Sequence, residues 1–173
     1  MADDYRGSGF DRGHLAPAGD FKFNKEAMKD TFFFSNMSPQ PARFNQVTWA
    51  KLENLMRAWG AKYNKIWIVT GPILRADLPA IGKQNKVSVP TDYFKVIVRQ
   101  SGNSHEGIAF IMNTSVPSND LKYYVTTIDE VEEATGFDFF PFVKESVEQK
   151  SDIAKWDFTG KFEYFPCQAS AAQ

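Results

Sequence analysis

Apolar and polar positions change period along this chain, and the changes mark its elements. Tyr5–Gly9 is Gly- and Ser-rich and reads as a loop. Phe10–Ala16 then reads as a short strand, ended by Pro17 and Gly19. Thr31–Met37 holds Phe32-Phe33-Phe34, an apolar run of β type bounded by Ser38-Pro39-Gln40. In Ala42–Lys62, Trp49, Leu52, Met56 and Trp59 recur at i, i+3, i+7 and i+10, which predicts an amphipathic helix. The first 62 residues therefore read strand, loop, strand, helix.

The remainder is strand-rich. Lys65–Thr70 predicts a buried strand that stops at Gly71-Pro72. Lys86–Val89, Tyr93–Arg99 and Gly107–Met112 follow, the last two joined by Ser101-Gly102-Asn103. Thr127-Ile128-Asp129-Glu130 has the form of a capping box for a helix to about Thr135, with Gly136 as its C-cap. A further short helix is expected over Val143–Lys150. Strands with helices outside the sheet predict an α+β fold, a mostly antiparallel central sheet flanked by helices, in a single domain over residues 1–173.

Composition narrows the function. Hydrophobic residues are 43% and charged residues 24% of the 173, values typical of a folded globular chain. The net charge of −1 excludes a uniformly basic coat, yet residues 1–75 carry 11 basic against 7 acidic side chains, and residues 76–173 carry 9 against 14. A polyanionic partner is expected at the first half. One cysteine excludes an internal disulfide, and two histidines exclude a His-cluster metal centre. No apolar run reaches membrane-spanning length, and no basic-then-apolar signal peptide opens the chain.

His14 in Asp11-Arg12-Gly13-His14 has the one side-chain type that titrates near neutrality. A lone histidine is most often an ordinary core or surface residue. Here it follows a glycine, which leaves room for a ligand, and stands two residues after an arginine, so on a strand the two share a face. Arginine suits bidentate contact with phosphate. Asn45 stands near the start of the predicted helix and Glu53 eight residues on, about 12 Å of rise and about 80° beyond two α-helical turns. The pair can border one cleft, one as a direct ligand and the other acting through water, a pattern that suits Mg²⁺. Arg57, at i+4 from Glu53, is placed to pair with it. Spacing alone favours a solvated helix face with an ordinary Glu–Arg pair.

Taken in order, three segments are more specific: Phe10-Asp11-Arg12-Gly13-His14-Leu15-Ala16-Pro17-Ala18, Phe34-Ser35-Asn36-Met37-Ser38-Pro39-Gln40, and Phe44-Asn45-Gln46-Val47-Thr48-Trp49-Ala50-Lys51-Leu52-Glu53. They closely resemble the DNA/RNA non-specific endonuclease family, with its DRGH motif and ββα-metal active site. The resemblance continues through Val69-Thr70-Gly71-Pro72, Val87-Ser88-Val89-Pro90 and Tyr93-Phe94-Lys95-Val96, and covers most of residues 5–157.

The resemblance implies a role for each matched residue. His14 would be the general base, and Asn45 the direct ligand of one Mg²⁺, for which Mn²⁺ would substitute. Glu53 would hold metal-bound waters. Arg12 would contact the substrate phosphate, Arg57 would support Glu53 or the substrate, and Asn36 would orient the site. The substrates implied are DNA and RNA, cut to leave 5′-phosphate ends. The resemblance also favours a secreted or periplasmic setting, and a protein inhibitor would be of unknown kind. Only ten residues precede Asp11, so N-terminal sheet strands of the family are expected to be missing. The sheet edge left open would be capped by the chain's own tail or, slightly favoured, by a second copy, making a homodimer, or would belong to a fragment of a longer parent. Val47-Thr48 replaces the small residues common after Asn-Gln, with a packing consequence only.

Other readings stand beside this one. The chain could be a nucleic-acid-binding or interaction module that keeps the fold without cutting, or an enzyme acting on another phosphodiester or a nucleotide. His105 is expected to be a surface histidine in a hairpin loop. Cys167 lacks the partners of a thiol nucleophile. Phe32–Phe34, Trp67 and Phe137–Phe142 are expected to fill the core, and Asp129–Glu133 to form a solvated helix turn.

Overall fold

The computed structural model describes residues 2–115 and 118–160, so Cys167 lies outside the described residues. The chain opens with α1 (Ala2–Tyr5) and β1 (Phe10–His14), then α2 (Lys25–Asp30) and β2 (Met37–Pro41). A π-helical turn over Phe44–Trp49 leads into α3 (Ala50–Tyr63). Next come β3 (Ile66–Pro72), β4 (Ala80–Ile81), β5 (Val87–Ser88), β6 (Asp92–Ser101), β7 (Ser104–Asn113) and β8 (Val125–Thr126). The helices α4 (Ile128–Thr135) and α5 (Glu145–Glu148) follow.

The main sheet has the order β3-β6-β7-β8, antiparallel throughout. Strand alternation gives it two apolar faces. On one, Tyr93, Ile97, Ile108, Phe110 and Met112 pack with a stripe formed by Trp49 of the π-helical turn and Leu52, Met56 and Trp59 of α3. On the other, Phe94, Val96, Val98 and Ala109 pack with Ile128 and Val131 of α4 and with Phe139. The α4 capping box forms as expected: Glu130 N–H donates to Thr127 Oγ1, and Thr127 N–H donates to the Glu130 carboxylate. Gly136 takes the left-handed conformation that ends this helix, at φ 73°.

Several expectations are corrected. The second strand does not run over Thr31–Met37; it begins at Met37 and ends at Pro41. It is the antiparallel partner of β1, with Phe10 opposite Pro41 and His14 opposite Met37. Before it the chain is folded back. Thr31 Oγ1 donates to Met28 C=O, and Asn36 Nδ2 donates to Thr31 C=O, closing a turn in place of extended chain. Phe32 and Phe33 therefore point outward, 56% and 63% exposed, and do not fill the core. Phe137 and Phe142 are also exposed, whereas Phe139 is buried. His105 is half-buried, its ring against Trp67 and Phe142.

Candidate active site

The sequence from Phe10 to Glu53 folds as hairpin then helix, and three hydrogen bonds lock the two together. Asn45 Nδ2 and Gln46 Nε2 both donate to Asp11 Oδ2, at 3.0 and 2.8 Å. Trp49 Nε1 donates to the His14 carbonyl at 3.3 Å. Asn45 sits in the π-helical turn, whose i→i+5 bonding widens the helix locally, a feature common at functional sites. The angle between Asn45 and Glu53 is therefore not that of a regular α-helix. The Asp11 bond occupies the Asn45 amide nitrogen, so its carbonyl oxygen is the atom left over as an acceptor.

Arg12 and Asn45 line one open cleft of about 520 Å³, together with Tyr5, Arg6, Phe10 and Asp11. Arg12 is exposed there. His14 is half-buried, and the edge of its ring meets Phe32 with centroids 4.8 Å apart. Burial, and then the nearby Arg12 charge, push the His14 pKa below its usual value, so the imidazole is held neutral. The sequence suggests that the glycine beside His14 leaves room for a ligand, but the structure shows that it does not. A Cβ on Gly13 would stand 2.2 Å from Gln40 Oε1, so the fully buried Gln40 side chain fills that space.

Asn36 braces the chain that leaves His14. Its Oδ1 accepts Ala16 N–H at 2.9 Å, its Nδ2 donates to Ala16 C=O at 2.8 Å, and its own carbonyl accepts Leu15 N–H. Glu53 faces a second cavity of about 340 Å³, lined also by Leu15, Asp20, Asn36, Thr70 and Lys95. Burial raises the Glu53 pKa, with Lys95 and Arg57 opposing and Asp20 adding to the rise. Lys95 is 2% exposed, on the α3-facing side of β6 between Tyr93 and Ile97. Its Nζ donates to Thr70 Oγ1 and lies over the Trp49 ring. Burial lowers its pKa, while Glu53 and Asp20 oppose that fall.

The expected Arg57–Glu53 pair does not form. Arg57 Nη1 donates to Asp20 Oδ1 and Nη2 to Asn54 Oδ1, both at 2.7 Å. Asp11, Gln46, Asp20, Gln40, Arg6 and Lys95 are the residues about this site that sequence reasoning passed over. Asp11 stands inside the DRGH run, and Lys95 is a lysine inside an apolar strand; both were visible signals.

Among the described residues, no three His, Cys, Asp or Glu side chains gather as a metal cage. Asn45 lines the Arg12 cleft and Glu53 a separate cavity, so an amide oxygen with open space around it fits a cation that keeps most of its waters, as Mg²⁺ does.

This hairpin-and-helix unit on an antiparallel sheet defines a ββα type of site. A family model for DNA/RNA non-specific endonucleases matches residues 1–146, and the chain belongs to that family. Bovine mitochondrial endonuclease G is 35% identical over 150 residues, 80% of this chain and 50% of the relative. Nuclease C1 of Cunninghamella echinulata var. echinulata is 41% identical over 152 residues, 79% and 59%. The mitochondrial nuclease of Saccharomyces cerevisiae is 37% identical over 163 residues, 83% and 50%. The chain thus spans about half the length of these relatives. A crystal structure of an EndoG/EndoGI complex superimposes with a TM-score of 0.78 at 32% identity, over 85% of this chain and 65% of that one. Where these relatives' names carry a compartment, it is mitochondrial, in place of the secreted or periplasmic setting expected. Among the described residues, no helix is long and apolar enough to cross a membrane.

Proposed function

We propose that this chain is a Mg²⁺-dependent endonuclease that hydrolyses phosphodiester bonds in DNA and RNA with little sequence preference. The observation that supports this most is the Asp11 carboxylate, which ties the strand bearing Arg12 and His14 to the turn bearing Asn45. His14, neutral near pH 7, takes a proton from the attacking water. The water oxygen bonds to phosphorus and the P–O3′ bond breaks; the departing O3′ takes a proton from solvent water, leaving a 5′-phosphate and a 3′-hydroxyl, and His14 returns its proton to solvent. Arg12 binds the phosphate through its guanidinium, and Asn36 keeps the His14 loop in register. Asn45 Oδ1 would hold the Mg²⁺, or Mn²⁺ in its place, and Glu53 would accept hydrogen bonds from its waters. When bound, the ion would supply charge neutralisation at the phosphate and stabilise the leaving oxygen. Contacts to phosphate carry no base information, so cleavage is weakly sequence-dependent.

The test is cleavage of plasmid DNA and total RNA with Mg²⁺, with EDTA, and with His14→Ala beside wild type. Metal-dependent cutting of both substrates, lost in the variant, is the expected result. Binding without cutting would instead establish the interaction module.

A further inference from the structure

We propose that Asp20 is a positioning residue of this site: it holds the Arg57 guanidinium away from Glu53, so that the Glu53 carboxylate stays open to water. The proposal rests on the function given above. Arg57 follows Glu53 by four residues on α3, the spacing at which a helix pairs opposite charges by default. Among the described residues, Glu53 nevertheless makes no hydrogen bond or close ion pair, and the Lys95 and Arg57 charges reach it only through space. Arg57 reaches instead to Asp20 Oδ1 at 2.7 Å, with Asn54 Oδ1 holding its other nitrogen. Asp20 is presented by a 3₁₀ turn, Ala18–Phe21, a few residues beyond His14. The turn is shaped to the guanidinium: a Cβ on Gly19 would lie 3.2 Å from Arg57 Nη1. Asp20 also lines the cavity that Glu53 faces. A charge-assisted bond between half-shielded groups outcompetes the in-helix pair because its geometry is set by two separate elements. A Glu53 whose oxygens were taken by Arg57 could not accept hydrogen bonds from metal-bound water.

The test compares wild type, Asp20→Asn and Asp20→Glu, each checked for folding by circular dichroism. The ¹⁵N and ¹H resonances of the Arg57 guanidinium are followed by NMR without metal or substrate. In wild type they should show a restrained, hydrogen-bonded guanidinium; in Asp20→Asn they should shift as the group leaves Asp20, and in Asp20→Glu they should stay near wild type. In steady-state cleavage, Asp20→Asn should lower kcat and kcat/KM together by about tenfold to a hundredfold, with Asp20→Glu recovering most of the loss. Unmoved Arg57 resonances in Asp20→Asn would overturn the proposal whether or not the protein cuts. An unchanged kcat in a variant of an active wild type would overturn it too. A wild type that does not cut, with Arg57 released as expected, would sink the nuclease reading while the placement of Arg57 by Asp20 stands.

Discussion

Asp11 Oδ2 accepts the Asn45 amide at 3.0 Å, so the first residue of the Asp-Arg-Gly-His run orients the residue proposed to hold the metal. The same oxygen accepts Gln46, which leaves the Asp11 carboxylate little freedom to turn. Partners of this kind typically change metal affinity or activity by about 10–100-fold when removed. Asp11→Ala is expected to raise the Mg²⁺ concentration for half-maximal cleavage about tenfold. Asn45→Ala is expected to lose more, and Glu53→Gln to retain metal binding but lose rate. Mn²⁺ titration followed by electron paramagnetic resonance reads the binding order directly; tight Mn²⁺ binding by Asn45→Ala would remove Asn45 as the ligand.

His14→Ala is expected to lower turnover by about 10²–10⁴-fold, the usual size of general-base catalysis. Its ring packs on Phe32 outside the main core, with Nε2 buried and without a hydrogen-bond partner among the described residues, so its removal breaks no hydrogen bond of the ring and thermal unfolding should move little. A variant that cuts at near wild-type rate would exclude His14 as the base.

The pH dependence follows from the lowered His14 pKa. Burial and the Arg12 charge both resist the imidazolium, so the neutral base persists to a pH below the ordinary histidine value of about 6.5. The acid limb of the rate profile should lie below 6.5, and Arg12→Gln should move it upward, because a repelling cation is gone. The sign for stability agrees: the unfolded chain binds this proton more readily, so His14's contribution is full above 6.5 and is lost as pH falls through the lower folded value. An acid limb that moves down in Arg12→Gln would contradict this.

Gly13→Ala tests the close approach beneath His14. The new Cβ would meet Gln40, whose Oε1 and Nε2 have no partner among the described residues and no exposed route out. Overpacking of this kind costs about 1–3 kcal/mol. A fall of several degrees in Tm, together with slower cleavage, is expected from differential scanning calorimetry and the plasmid assay.

Arg6 shares the cleft of Arg12 and Asn45, and its ion pair with Asp3 is almost fully exposed. Such a pair is weak and easily exchanged for phosphate. Arg6→Gln should weaken DNA binding about equally across sequences and reduce the slope of log affinity against log salt by about 1. Fluorescence anisotropy with labelled duplexes of different sequence, measured at several salt concentrations in EDTA, would show it. An unchanged slope would place Arg6 outside the phosphate path.

Local pattern carried much of the architecture. The α3 stripe, the β6–β7 pair and the Thr127 capping box depend on contacts between near neighbours or on strict periodicity, and each is readable one segment at a time. The order of Arg12, His14, Asn36, Asn45 and Glu53 was legible for a similar reason: family membership is written in a linear motif. Tertiary structure decided what those side chains touch. Phe32-Phe33-Phe34 has strand composition, yet the Thr31 and Asn36 hydrogen bonds turn the chain there and push the strand to Met37–Pro41. Arg57 has a partner at ideal helical spacing, yet a loop thirty-odd residues earlier brings Asp20 to better geometry. Lys95 lies in an apolar row because Glu53, Thr70 and the Trp49 ring converge on it from three different elements. Periodicity reports which face a residue occupies. It does not report which distant charge or amide meets it there, because that depends on how elements far apart in sequence are docked.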